Sequence, residues 1–210
     1  GPCQRGEPFL CANDGPIHNG RMPDGTRRLS LDGAPVDHFF AQSSFAEQAV
    51  VPATTAVPIP DSVPLDVACL LGCGATTGIG AVLSTADVSP GESVAVFGCG
   101  GVGTSALLGA ELIGASPLVA VDVDRRRLAA AADFGATHTV DPTDGNPVDH
   151  IEMVTDGGPA YTIECSGAPQ AQQQALAAGV DEQLRLDGAR PVERQRVAAV
   201  AVGRGDVGLR

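Results

Sequence analysis

No lysine occurs anywhere in the 210 residues; all 13 basic side chains are arginine. A lysine nucleophile, a Schiff-base lysine and the lysine of a phosphate-binding P-loop are therefore excluded. Tryptophan is also missing, and six phenylalanines and one tyrosine make up the whole aromatic content. A core must then be built from Val, Leu, Ile and Ala. Basic charge is scarce beside acid, 13 against 25, for a net charge of −12. A chain of that sign lacks the positive face a nucleic-acid binder needs. The opening residues Gly1-Pro-Cys-Gln-Arg-Gly6 show no charged segment followed by an apolar stretch, so no signal peptide is visible. Two long uncharged runs, 67–86 and 93–110, are broken by glycines and hydroxyl residues, which argues against membrane spans. The expectation is a cytoplasmic protein with neither a nucleic-acid nor a membrane partner.

What is present points to a folded α/β chain. Hydrophobic residues make up 43%, too many for disorder. Residues 1–35 are rich in Gly, Pro, Asn, Asp and Arg and read as irregular loop. Residues 39–52 bring Phe39, Phe40, Phe45, Val50 and Val51, the pattern of a short strand pair. Residues 65–86 are apolar and small, helical around a glycine-rich interruption. After the turn signal Ser89-Pro90-Gly91, buried-strand runs alternate with helix-period segments. Strands fall at 93–97, 118–122, 137–140 and 161–164, with helices at 104–113, 125–134, 148–154 and 170–178. That alternation predicts right-handed βαβ units and a parallel sheet.

The first strand runs directly into Gly98-Cys-Gly-Gly-Val-Gly103, a G-x-G-x-x-G pattern placed between strand and helix. Gly98 permits the tight turn and Gly100 lets backbone approach a pyrophosphate. Gly103 lets the helix pack against the strand, with its amide-rich N-terminus facing the anion. The second strand ends in Asp122, 19 residues after Gly103, where an acid binds a ribose 2′-hydroxyl. Asp122 favours NAD over NADP, a preference tempered by Arg125, Arg126 and Arg127, since an arginine accepts a 2′-phosphate.

Cys3 and Cys11 enclose seven residues in a segment with little core of its own. Half of a structural zinc site or a disulfide fits that spacing, and the lack of an export signal weighs against the disulfide. Cys69, Cys99 and Cys165 read most simply as packing thiols.

Several ordered motifs resemble the zinc-containing medium-chain alcohol dehydrogenases, near the branch of formaldehyde-adduct dehydrogenases. They are Cys3-x7-Cys11, His38-Phe-Phe with Ser-Ser-Phe-Ala-Glu and Val-Val51, Gly72-Cys-Gly-Ala-Thr-Thr-Gly78, Val94 to Gly103, Val121-Asp122 and Phe134-Gly-Ala136. Together they cover residues 1 to about 170. The resemblance implies a Rossmann-type doubly wound sheet, incomplete here, preceded by part of a β-rich GroES-like catalytic domain. It implies that Cys3 and Cys11 are structural zinc ligands and that Cys73 is a catalytic zinc ligand. Thr77 would contact the cofactor beside the nicotinamide, at the catalytic centre, and Val102 would pack behind the ring. Gly98, Gly100, Gly101, Gly103 and Asp122 would form the dinucleotide site, with Arg127 near the adenosine ribose and Cys165 and Ser166 bordering the cofactor. His18, His38, His138 and His150 match no ligand position.

In the family, zinc lowers the pKa of a bound alcohol and hydride passes to NAD. The implied substrate is a primary alcohol or an aldehyde–thiol adduct, and the implied parent is a homo-oligomer. The other zinc ligands of the family would precede Cys3, so the expectation is a fragment that binds cofactor without catalysing the reaction. A zinc-independent quinone reductase and a bare NAD-binding module are the competing functions. The expected divisions are residues 1–80 for the catalytic-domain part and 81–178 for the NAD-binding domain. Residues 179–210 form an atypical tail, because residues 181–210 carry a net charge of +1 against −13 for the rest. A changed reading frame or a divergent insertion would account for it.

Overall fold

A computed structural model describes residues 2–5, 19–22, 24–39, 44–49, 51, 53, 56–179 and 196–199, with backbone alone at 2–3 and 196–199. The chain divides into two compact units, Gly1–Pro60 and Asp61–Arg210.

In the first unit, β1 (Leu29–Leu31) and β2 (Ala34–Val36) pair antiparallel, with Leu29 opposite Val36 and Leu31 opposite Ala34. Asp32 and Gly33 close the hairpin with φ of 51° and 81°. An Asp-Gly pair adopts that left-handed conformation at low cost, and its twist matches the flanking strands. The hairpin therefore lies inside the segment that composition marks as irregular loop. Conversely, none of the described residues between 39 and 52 is in a strand; Phe40 and Val50 lie outside the described residues. A turn dipeptide outweighs a short apolar cluster as a local signal. His38 is buried, its Nε2 accepting the Arg28 amide at 3.0 Å, while its own amide donates to the Gly20 carbonyl at 2.7 Å.

The second unit is built on one parallel sheet. Its strands are β3 (Val94–Phe97), β4 (Leu118–Val121), β5 (His138–Val140), β6 (Tyr161–Glu164) and β7 (Arg196–Ala199), in the order β5-β4-β3-β6-β7. β3 is central, pairing from Val94 opposite Leu118 and Tyr161 to Phe97 opposite Val121 and Glu164. All four of its residues are buried, as are all four of β4 and of β6; β3 and β4 are accordingly continuously apolar rather than alternating, whereas β6 also buries Thr162 and Glu164. The late strand β7 pairs parallel with β6, so Arg196–Ala199, within the segment marked in sequence as an atypical tail, supplies a fifth strand.

Helices α1 (Leu65–Ala68) and α2 (Gly74–Gly80) precede the sheet, and a π-helical turn follows at Ala81–Ala86. The crossovers are α3 (Gly101–Leu112), α4 (Arg125–Ala131), α5 (Pro147–Val154) and α6 (Pro169–Ala178). Side chains alternate across the sheet. Val94, Val96, Leu118, Ala120 and Ile163 pack with Leu107 and Leu128 of α3 and α4. Ala95, Phe97, Val119 and Val121 pack with Ile151 of α5 and Ala175 of α6 on the other face. Helices on both faces with the chain reversing direction between β3 and β6 make a doubly wound, Rossmann-type sheet, and its topological switch point lies between those two strands.

Helix α2 packs directly on α3. A Cβ at Gly78 would lie 2.2 Å from the Val102 carbonyl oxygen and 2.7 Å from the Ala106 nitrogen, so the two backbones meet there. The sequence division at residue 80 separates α2 from α3, whereas packing groups them in one unit beginning at Asp61.

Candidate nucleotide-binding site

A cleft of about 230 Å³ opens at the carboxyl ends of β3, β4 and β6. Open α/β sheets bind ligands at this edge and at this switch point. The glycine loop forms its floor. Gly98 has φ of 89°, and a Cβ there would lie 2.7 Å from the Ser166 Cβ. Gly103 is buried so closely against the turn that a Cβ would lie 1.7 Å from the Gly98 carbonyl oxygen. Gly100 differs from both: it lines the cleft, caps α3 and has nothing within 4 Å of a Cβ position. The loop is therefore closed at Gly98 and Gly103 by protein and open at Gly100. First-turn amides of the 12-residue helix α3 lack helical acceptors, and such a helix end attracts anions.

Asp122 stands one residue beyond β4 with its side chain 4% exposed. Its Oδ2 accepts the Cys99 amide at 2.7 Å and its Oδ1 accepts the Asp124 amide at 2.8 Å. Arg127, half-exposed, places Nη1 at 3.6 Å from the same Oδ2. The carboxylate thus fastens the glycine loop to the end of the neighbouring strand while itself lining the cleft. The other two arginines of α4 are committed elsewhere. Arg125 pairs with Asp141 and Asp144 at 3.1 and 2.6 Å, and Arg126 pairs with Asp124 at 3.1 Å.

Opposite the loop, Cys165 and Ser166 border the cleft at the end of β6. Their position is set by Glu164, a buried carboxylate that motif reasoning passes over. Its Oε1 accepts the Ser166 amide at 2.7 Å, the Ser166 hydroxyl at 2.5 Å and the Gly167 amide at 3.0 Å. An acid ending a strand of aromatic and β-branched residues just before Ser-Gly was the available signal, because a carboxylate buried there needs local donors. The thiols of Cys99 and Cys165 are both pushed up to about 12 by burial, with Asp122 raising the first and Glu164 the second. Neither is a thiolate at neutral pH, which fits their reading as packing residues.

Of the sequence-derived site residues, Gly98, Gly100, Asp122, Arg127, Cys165 and Ser166 line this one cleft. Gly101 and Val102 open α3 beside it, and Val102 meets α2 at Gly78, next to half-buried Thr77. Cys73 is exposed at the start of α2, its carbonyl accepting the Thr77 amide at 2.8 Å. Cys3 belongs to a short 3-10 turn, Pro2–Arg5, with its side chain outside the described residues; Cys11 and His18 also lie outside them. Among the described residues, no three His, Cys, Asp or Glu side chains converge as metal donors. No helix among them is long and apolar enough to cross a membrane.

A Rossmann-type sheet with a glycine loop and a strand-end acid facing one cleft defines the class of this domain. Residues 101–179 match the family model described as "Zinc-binding dehydrogenase". The chain is 42% identical over 186 residues to an S-(hydroxymethyl)glutathione dehydrogenase of Saccharomyces cerevisiae, covering 84% of this chain and 47% of that protein. A Komagataella pastoris protein of the same name is 40% identical over 179 residues, covering 83% and 47%. Among solved structures, benzyl alcohol dehydrogenase from Acinetobacter calcoaceticus superposes with a TM-score of 0.81 at 34% identity, covering 100% of this chain and 53% of that one. An alcohol dehydrogenase zinc-binding domain protein from Burkholderia ambifaria gives 0.77 at 38% identity, covering 84% and 49%. The chain belongs to the zinc-containing alcohol dehydrogenase family, and it spans about half the length of the curated relatives it matches.

Proposed function

We propose that this chain binds NAD through the cleft at the end of β3, β4 and β6, as the nucleotide-binding part of a zinc-assisted dehydrogenase. The reaction is oxidation of a primary alcohol or of an aldehyde–thiol adduct, and the second is the kind of substrate for which the two dehydrogenase relatives are named. The observation that carries the nucleotide assignment is Asp122, a buried carboxylate joined by hydrogen bond to the glycine loop whose Gly100 is open. That pair suits a ribose hydroxyl beside a pyrophosphate. NAD is favoured over NADP because Asp122 repels a 2′-phosphate. The arginines that could offset this are already paired with Asp122, Asp124, Asp141 and Asp144.

Bound there, the dinucleotide supplies the hydride acceptor. This chain's own residues would do the holding: the first-turn amides of α3 would meet the pyrophosphate, Asp122 would accept from the ribose, and Val102 and Thr77 would lie at the nicotinamide end. Cys73 is proposed as one zinc donor, and Cys3 and Cys11 as donors to a separate structural zinc. The described residues offer Cys73 no pair of companions, so a catalytic zinc would draw its other ligands from outside them. Domain roles follow the same proposal, with a catalytic-domain part before the sheet and an atypical tail after residue 178. The four described cysteines are all free thiols, which suits a cytoplasmic enzyme, here proposed as a homo-oligomer with a small-molecule substrate.

Titration of the chain with NADH tests the assignment. The protein has no tryptophan, so the cofactor's own emission is read without interference. Saturable enhancement is expected, and it disappears in Asp122→Ala; a flat titration of the unaltered chain defeats the NAD assignment.

A further inference from the structure

Four polar side chains line the cleft: Asp122, Arg127, Ser166 and Gln174. Three are already engaged. Asp122 accepts two backbone amides and pairs with Arg127, and the Ser166 hydroxyl donates to Glu164 at 2.5 Å. Gln174 is the exception: half-buried on α6, its carboxamide has no hydrogen-bond partner among the described residues. It reaches the cleft together with Ala171, one turn earlier on the same helix face. Ala171 and Ala168 are small and leave space beneath it, while Val123 and Pro142 add apolar lining suited to a flat ring. The helix is anchored by Ala175 and Ala178 in the core, so Gln174 is carried by a fixed element rather than a loop.

We propose that Gln174 is the base-reading residue of this cleft, hydrogen-bonding the amino edge of adenine and so selecting adenine over a 6-oxo purine. This rests on the NAD assignment above and extends it from the pyrophosphate and ribose to the base. A carboxamide offers one acceptor and two donors. Adenine presents an amino donor beside the N7 acceptor and matches both, whereas hypoxanthine presents two acceptors and leaves the carboxamide oxygen unpaired. Among the other lining side chains, Asp122, Arg127 and Ser166 already contact protein groups, and none of the rest carries a side-chain oxygen or nitrogen.

The test compares NAD with its hypoxanthine analogue, deamino-NAD, by calorimetric titration of the whole chain. Unaltered protein should bind NAD about three- to tenfold more tightly, the value of one buried neutral hydrogen bond. Gln174→Leu, which keeps the volume and removes the hydrogen bonds, should bind the two dinucleotides equally, with NAD weakened to the level of the analogue. Gln174→Ala serves as a second variant at this half-exposed position, and circular dichroism confirms folding of both. If folded variants keep the preference for NAD, or if the unaltered chain shows none, the role of Gln174 is overturned while the NAD site stands. If neither dinucleotide binds the unaltered chain, both assignments fall together.

Discussion

Asp122 Oδ2 and the Cys99 amide lie 2.7 Å apart, joining the end of one strand to the glycine loop that follows its neighbour. The carboxylate is thus an acceptor for protein before it is an acceptor for ligand. Asp122→Ala should lower stability by about 1–3 kcal/mol, the cost of stranding buried amide donors. A urea midpoint reads that loss, and NADH titration should show binding abolished in the same variant. Unchanged stability would mean that the Cys99 and Asp124 amides find water instead.

Two glycines of the loop should separate folding from binding. Gly103→Ala places a methyl 1.7 Å from the Gly98 carbonyl oxygen and should cost about 3 kcal/mol or more, read as a fall in melting temperature. Gly100→Ala meets nothing within 4 Å and has φ of −75°, so its melting temperature should match the parent. The same methyl intrudes on the ligand's space and should weaken NADH roughly tenfold, the effect of a clash of about 1.4 kcal/mol.

Alkaline pH offers a third check. Cys99 and Cys165 titrate near 9.0 when free and at about 12 when folded, because burial disfavours the thiolate. The folded state therefore holds its protons where the unfolded chain loses them. Their stabilising contribution is complete below pH 9 and falls progressively toward pH 12. Urea midpoints should decline from pH 8 to pH 10, and the decline should flatten in Cys99→Ala and Cys165→Ala. In native protein at pH 8, exposed Cys69 and Cys73 should react with a thiol reagent while Cys99 and Cys165 do not.

Glu164→Gln removes the charge from the carboxylate that gathers the Ser166 amide, the Ser166 hydroxyl and the Gly167 amide. Weakened charge-assisted hydrogen bonds should cost roughly 1.5–3 kcal/mol. Hydrogen exchange should show the amides of Ser166 and Gly167 less protected. Equal protection in the variant would reduce Glu164 to a strand residue with no hold on the cleft.

Most of the sheet was legible because its central strands β3 and β4 are apolar throughout and several of its helical segments stop at glycines. Tyr161–Glu164 is bounded in the structure as in the sequence, and Gly135 ends the segment after α4 with φ of 90°. Gly98 and Gly103 were equally readable, since the backbone imposes glycine at both, and Asp122 stands at the strand end where the spacing sets it. The hairpin at Asp32-Gly33 escaped notice because its strands are only three residues each and exposed on every residue, inside a segment dominated by turn-forming residue types. Glu164 escaped because its partners, Ser166 and Gly167, lie within three residues but outside the glycine-loop pattern. The proposed role of Gln174 depends instead on which side of the sheet its helix crosses, which no local spacing encodes.

The contact at Gly78 has a mechanical consequence. One end of α2 carries Cys73, its middle carries Thr77, and at Gly78 its backbone bears directly on the helix that begins at the glycine loop. Because the join is main chain against main chain, no side-chain rotamer can relax to change the spacing. The thiol proposed for the metal and the amides proposed for the pyrophosphate are thus carried by two helices in direct backbone contact, so their spacing is fixed by that contact rather than by side-chain packing.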